Sequence, residues 1–262
     1  MRETVVILGA GSGFGLAIAK AFGQQGKHVV LAARHAEALR NLVTQLRADD
    51  ISADWLVADA TSSHQTADLF RQVVQHFGVP ETFVYNVADT TLDRPRDTPT
   101  DRIATALNVN VLGAIRTTRQ FIDLLDADDP TPRNILITGG GAALHPVKET
   151  TTLSLTKAAL RSYAYSLADE LADTAVYVGL ITVQGIANTS AAMAPDQVAQ
   201  AYLQAVADRQ GTEILYPHGQ QTQSEFTALR AATQDPARLQ AFLQDHPQAA
   251  TFLQQHPEFL ND

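Results

Sequence analysis

A doubly wound α/β domain is the fold class this sequence predicts: one parallel sheet of seven strands with helices on both faces, followed by a helical C-terminal tail. Three observations predict it. Short, continuous runs of β-branched and aliphatic residues recur along the chain, the pattern of strands buried on both faces. Between them lie segments whose apolar residues repeat at helical spacing, long enough to serve as the crossovers that parallel strands require. A glycine-rich turn separates the first run from the first helical segment.

In order along the chain, Thr4–Leu8 is the first strand; Phe14, Ile18, Ala21 and Phe22 then recur at i, i+4, i+7 and i+8 as one apolar stripe that stops near Gly26. Val29–Ala33 is a strand and Glu37–Arg47 a helix. Trp55–Ala58 (strand), Thr66–Phe77 (helix, stopped by Gly78) and Thr82–Tyr85 (strand) follow. One long helix over Asp101–Leu125 leads to the strand Asn134–Thr138. A helix over Ser154–Leu171 leads to Val176–Val183, and Pro195–Asp208 to a last strand, Glu213–Tyr216. Sheets of this kind bind ligands beyond the carboxyl ends of their strands.

Residues 1–216 are expected to form this domain and 217–262 a helical extension packed on it or on a partner. The extension is rich in Gln and Ala and holds a near repeat, Phe242-Leu243-Gln244-Asp245-His246-Pro247 and Phe252-Leu253-Gln254-Gln255-His256-Pro257. Two copies are too few for a solenoid, so each is read as a helical turn stopped by its His-Pro. No carboxylate or third His stands at ligand spacing from His246 or His256, and no metal site is expected.

The composition narrows the classes. The 262 residues are 45% hydrophobic, with 19 basic against 28 acidic side chains and a formal charge of −9. No Lys/Arg cluster breaks this balance, so nucleic acid is not an expected partner. There are no cysteines, which excludes disulfides, thiolate metal sites and a cysteine nucleophile. The apolar run Thr4–Leu8 ends at a glycine turn, too short for a signal peptide or membrane span, and the expected location is the cytoplasm.

The turn reads Gly9-Ala10-Gly11-Ser12-Gly13-Phe14-Gly15. Between a strand and a helix, such a turn lets backbone N–H groups and the helix N-terminus approach a pyrophosphate; the alternative is a purely structural turn. The spacing Gly9-x-x-x-Gly13-x-Gly15 is similar to the TGxxxGxG fingerprint of the short-chain dehydrogenase/reductase family, with Leu8 in place of the Thr. Asp59, past the third strand, resembles the family's adenine-contacting acid. Val84-Tyr85-Asn86-Val87-Ala88 resembles its NNAG turn, altered at the last two positions. Asn110-Val111-Leu112-Gly113 looks like its NxxG motif, and Lys157-Ala158-Ala159-Leu160 like the end of YxxxKAAL. The resemblance covers residues 4 to 216. It implies a Rossmann-like fold and a nicotinamide dinucleotide held by Gly9, Gly11, Ser12, Gly13, Phe14, Gly15, Arg34, Asp59, Asn86 and Lys157. It also implies a small-molecule substrate, and a homodimer or homotetramer built through the helices at 101–125 and 154–171.

Cofactor choice turns on the end of the second strand. An acidic residue there would bond the ribose 2′-hydroxyl of NAD and repel a 2′-phosphate. This chain has Ala33 followed by Arg34, whose guanidinium can clamp a phosphate, so NADP is expected in preference to NAD; the alternative leaves Arg34 a solvated surface charge.

At the catalytic positions the family pattern breaks. The resemblance implies a Tyr general acid assisted by a Ser, by a Lys four residues later that lowers the Tyr pKa and holds the nicotinamide ribose, and by an Asn that holds a relay water. Here Asn110 and Lys157 are kept, but the Tyr position holds Leu153 and the Ser position falls on Gly140; Tyr163 and Tyr165 lie beyond the Lys. Losing the general acid alone would cost roughly 10²–10⁴ in rate. Replacement donors are Ser154, Thr156, His145 and Lys157 itself, each with an ordinary structural alternative; Ser154, for one, suits a helix N-cap. Asn110, Lys157 and Ser154 are taken as the catalytic set. In the strand end Thr182-Val183-Gln184-Gly185, Gln184 is expected beside the cofactor. The small residues of 186–194 predict an abbreviated lid. Three functions stay open: an NADP-dependent oxidoreductase acting on a carbonyl or hydroxyl group with an altered proton donor, an NADPH-binding protein without turnover, and an interaction protein whose tail docks a partner.

Overall fold

The structure, a computed structural model, describes residues 3–126, 128–217, 225–247, 249–255 and 257. Its strands are β1 (Thr4–Leu8), β2 (His28–Ala33), β3 (Ala53–Val57), β4 (Thr82–Tyr85), β5 (Arg133–Thr138), β6 (Val176–Val183) and β7 (Glu213–Tyr216). They form one seven-stranded sheet in the order β3-β2-β1-β4-β5-β6-β7, and every neighbouring pair is parallel. The chain runs outward from β1 to β3, returns to the other side of β1 as β4 and then runs outward again. That reversal opens a crevice beyond the carboxyl ends of β1 and β4.

Both faces of the sheet are buried, which is why its strands carry no polar alternation. Val5, Ile7, Val29, Leu31, Val84, Leu136 and Ile181 point to one core, shared with α1 (Phe14–Gln24), α2 (Ala36–Ala48) and α7 (Pro195–Asp208). Their neighbours Val6, Leu8, Val30, Phe83, Tyr85, Ile135, Ile137 and Leu180 point to the other. There they meet α3 (Ser63–Phe77), α5 (Gly113–Ile122) and α6 (Thr151–Glu170). Helix α3 starts where the Ser62 hydroxyl accepts a hydrogen bond from the Gln65 N–H and ends at Gly78, whose φ of 83° needs a glycine.

The single helix expected over 101–125 is two, α4 (Thr100–Leu107) and α5, joined by a π-helical turn at Asn108–Leu112. The cause is Tyr85. Its hydroxyl donates to the Val109 carbonyl at 2.5 Å, and the Gly113 N–H bonds instead to Asn108, five residues back. Gly113 is required at this point because a Cβ there would overlap the Tyr85 hydroxyl. Helix α6 starts at Thr151 instead of Ser154. Its cap comes from a distant segment, Asp93, whose carboxylate accepts from the Thr152 N–H at 2.9 Å.

The tail forms three helices where two turns were expected: α8 (Glu225–Thr233), α9 (Pro236–Asp245) and α10 (Ala249–Gln255). The near repeats fall at the ends of α9 and α10. Asp235 caps α9 by accepting from the N–H groups of Ala237 and Arg238. His246 follows the last residue of α9 and stacks on Phe242, while His256 lies outside the described residues. Among the described residues there is no cluster of three metal-ligating side chains, and no helix is long and apolar enough to cross a membrane. Leu229, Leu239, Phe242, Leu243, Phe252 and Leu253 form a small core that includes Leu92 and Ile186 of the main domain.

Gly113→Ala is expected to lower stability by about 1–3 kcal/mol through overpacking against Tyr85, a fall of several degrees in Tm for a chain of this size. Adding Tyr85→Phe should return part of it. Equal melting temperatures for Gly113→Ala and the parent would contradict this account of the turn.

Candidate active site

The crevice at the reversal is a cleft of about 1150 Å³, continuous with a smaller hollow of about 240 Å³ that shares Leu153 and Gly185 with it. Ordinary small-ligand pockets measure roughly 300–1,000 Å³. The space therefore has room for an extended ligand and a second, smaller molecule.

The glycine turn forms the floor. Gly9 has a φ of +92°, and a Cβ there would lie 2.5 Å from the Val87 nitrogen; at Gly15 a Cβ would press on the Ala10 backbone at 2.8 Å. These two glycines are required by the fold itself. Gly11 and Gly13 are different, because a Cβ on either would meet nothing within 4 Å. Both face the cleft, and Gly13, the N-cap residue of α1, supplies no side-chain cap to the first turn. Open space above an uncapped helix N-terminus suits an anionic group that packs against bare backbone. Ser12 is exposed at the tip of the turn, and Phe14 lines both hollows.

A polar brace holds the turn in place. Asn86, after β4, donates from Nδ2 to the Gly9 carbonyl at 3.0 Å and accepts from the Thr138 hydroxyl at 2.9 Å. Since Thr138 donates there, the buried Tyr202 hydroxyl 2.6 Å away must donate to Thr138. Burial pushes the Tyr202 pKa up and keeps it a neutral donor. Sequence reading missed Tyr202, which shares helical spacing with the core residues Val198 and Ala205 and carries no other signal.

At one end of the cleft stand Ala33, Arg34, Asp59 and Thr61. Asp59 accepts from the Thr61 N–H and hydroxyl, both at 2.8 Å. Burial would raise its pKa, but these bonds and the charges of Arg34 and Arg116 outweigh it and hold the carboxyl below its ordinary value. Arg34 is exposed at the rim, its charge directed to this end of the cleft.

At the other end the hollow is walled by Gly140, Gly141, Leu153 and Lys157. Lys157 is 4% exposed and donates to the Thr138 carbonyl at 2.7 Å. With no carboxylate to offset it, desolvation pulls its pKa down to about 8. A Cβ on Gly140 would sit 3.6 Å from Lys157 Cγ, an ordinary contact, so the site has room for a small side chain there.

The remaining sequence-derived residues are placed as follows. Asn110, on the π-helical turn and fully buried, accepts from the Asp89 N–H at 2.6 Å and donates to the Asp89 carbonyl (3.0 Å) and to Thr156 Oγ1 (2.8 Å). Both of its amide protons are committed, so it locks the segment after β4 against α6. The Ser154 hydroxyl pairs with Thr150 Oγ1 at 2.9 Å inside the first turn of α6, where it is not an N-cap. Among the described residues neither Ser154, Thr156 nor His145 lines the cleft. Gln184 is turned away, donating to the Pro217 carbonyl at 3.0 Å. Tyr163 and Tyr165 are engaged with Thr118 and Glu213. Among the lining residues that the sequence did not mark as part of the site are Asp89, paired with Arg102 at 2.5 Å, Leu92, and Phe252 of the tail.

Comparison with known proteins agrees with this geometry. An actinorhodin polyketide ketoreductase variant crystallised with NADPH superimposes with a TM-score of 0.77 at 20% identity, over 82% of this chain and 95% of that one. A short-chain dehydrogenase/reductase from Burkholderia phymatum in complex with NAD gives 0.75 at 21%, over 82% and 88%. At these identities the likeness is one of fold. An uncharacterised oxidoreductase of Staphylococcus aureus (strain USA300) is 28% identical over 215 residues, 78% of this chain and 90% of the relative. One from Staphylococcus epidermidis (strain ATCC 12228 / FDA PCI 1200) is 28% identical over 181 residues, 69% and 76% of the two chains. Residues 3–200 match the short chain dehydrogenase family. With the sheet order and the glycine turn, that match places the chain in the short-chain dehydrogenase family of oxidoreductases.

Proposed function

We propose that the protein is an NADP-dependent oxidoreductase acting on a carbonyl or hydroxyl group of a small molecule, with Lys157 as its proton donor. The observation that carries the dinucleotide is the open space at Gly11 and Gly13, for which the fold itself has no use. The turn and the N-terminus of α1 would hold the pyrophosphate, with Phe14 alongside. Asn86 would keep the turn in shape, Asp59 would face the adenine, and Lys157 the nicotinamide ribose. Arg34, beside a strand end that carries no acid, would clamp the 2′-phosphate and so favour NADP over NAD. When bound, the nicotinamide supplies or accepts hydride at the carbonyl carbon.

The reducing direction needs a proton for the alkoxide oxygen. Lys157 is the one titratable side chain among the described residues that line the hollow beside Gly140 and Leu153. Its amine spends one proton on Thr138 and keeps two to donate. A donor whose pKa is about 8 is matched to neutral pH better than an unperturbed lysine. Asn110 acts on it indirectly, by fixing α6 through Thr156. A second reading, nucleotide binding without turnover, is favoured by Leu153 and Gly140 themselves, neither of which can move a proton.

The homo-oligomer implied by the family is supported by Leu112 and Leu155, large apolar side chains 49% and 43% exposed on the two helical segments expected to form the contact. Light scattering is expected to return the mass of two or four chains, and Leu112→Glu with Leu155→Glu to lower it; an unchanged mass would move the interface elsewhere.

Titration with NADPH and NADH should show tighter NADPH binding, with Arg34→Ala weakening NADPH by about 10–100-fold, the worth of a charged hydrogen bond, and leaving NADH unchanged. Gly13→Asp should abolish binding of both while holding Tm, since a side chain there meets only open space. A loss of fold in Gly13→Asp, or equal effects of Arg34→Ala on both nucleotides, would count against these assignments.

For carbonyl reduction, Lys157 is protonated below about pH 8 and neutral above it. The rate should therefore be level below that pH and fall tenfold per unit above it. Lys157→Met should cost roughly 10²–10⁴ in rate, and Gly140→Ser with Leu153→Tyr should raise it over a similar range. A pH profile that is flat through 8, or NADPH that binds and is never oxidised, would favour the second reading.

A further inference from the structure

The connection after β6 lines the cleft with Gly185, Ile186 and Ala187. What it leaves open is covered from the tail. Phe252 of α10 lines the main cleft together with Leu92, Leu153 and Ile186, and Leu153 is also part of the hollow that contains Lys157. Phe252 is therefore an apolar wall beside the reacting centre, supplied by the tail beyond the last strand of the sheet.

Two features hold it there. Leu229 and Leu253, 0% and 5% exposed, tie α8 and α10 to Leu92 and Ile186. Beneath α8 lies Glu149, 3% exposed, with neither carboxylate oxygen hydrogen bonded among the described residues. Arg230 of α8 comes within 3.9 Å of it, with Lys148 at 3.6 Å and Arg94 at 3.8 Å. A buried carboxylate needs such compensation. Glu149 also accepts the Asp93 N–H through its backbone carbonyl, so the cation it draws from the tail is anchored next to Leu92.

From this we propose that Phe252 is a substrate-specificity residue, and that the cleft takes a carbonyl compound bearing an apolar ring or branched chain, seated against Leu92, Leu153, Ile186 and Phe252. The proposal rests on the NADP-dependent reading above. Four apolar side chains at the reacting end offer an apolar group dispersion contacts and escape from water, and offer a short polar carbonyl compound neither.

The test uses the full chain loaded with oxidised NADP, so that a ketone binds without being reduced, and compares cyclohexanone with acetone by calorimetry or saturation-transfer NMR. The parent is expected to bind cyclohexanone about tenfold or more tightly than acetone, as a filled apolar pocket discriminates. Phe252→Ala should remove most of that preference and Phe252→Leu should keep most of it, while NADP affinity should be the same in all three. If NADP binds and cyclohexanone is held no better than acetone, or Phe252→Ala leaves the preference intact, the subsite is overturned while the cofactor reading stands. If the parent does not bind NADP, the cofactor reading fails and this inference with it.

Discussion

The site depends on one carbonyl group. Gly9 must bend the chain sharply at the end of β1, and its oxygen points into the sheet's switch point, where a ligand cannot be relied upon to satisfy it. Asn86 does so from β4, Thr138 orients Asn86 from β5, and Tyr202 orients Thr138 from α7. One chain of hydrogen bonds thus fixes the carboxyl ends of three adjacent strands and leaves the N–H groups of the turn facing open space. The donor directions follow from the inventory of each group, and the chain ends on a Tyr kept neutral by burial.

The catalytic end is built by a different balance. Leu153 lines the hollow beside Lys157, whose charge is set against apolar walls with a backbone carbonyl as its partner. The cost of that burial is what brings the amine toward neutral pH. Leu153 also makes the hollow apolar, in keeping with the apolar side chain that Phe252 adds to the cleft from the tail.

Most of the fold was legible because it depends on patterns that the chain repeats. Strands buried on both faces must be continuous and apolar, and seven such runs were found close to their observed bounds. The glycine turn, Arg34, Asp59, Asn86 and Lys157 were legible because backbone approach, charge and strand-end position restrict the residue types allowed. The π-helical turn was not, since it arises from the Tyr85 hydroxyl, a contact made 24 residues away in sequence. The start of α6 was misplaced for the same reason: Asp93 caps it from a segment that no local rule connects to Thr152. Phe252 read as one more apolar residue of a helical turn, because its place at the cleft depends on how three short helices fold back, and that is settled by long-range packing.

The most direct test of the central claim, that this cleft binds NADPH and passes its hydride to a carbonyl without the family's Tyr and Ser, is isotope transfer. The purified protein would be incubated with NADPH carrying deuterium at nicotinamide C4 and a panel of ketones and aldehydes, and the products analysed by mass spectrometry. The account predicts an alcohol one mass unit heavier, with deuterium on the former carbonyl carbon, and loss of that product in Lys157→Met. NADPH bound by the protein, with no deuterium in any product, would contradict the claim and make the chain a nucleotide-binding protein on an oxidoreductase fold.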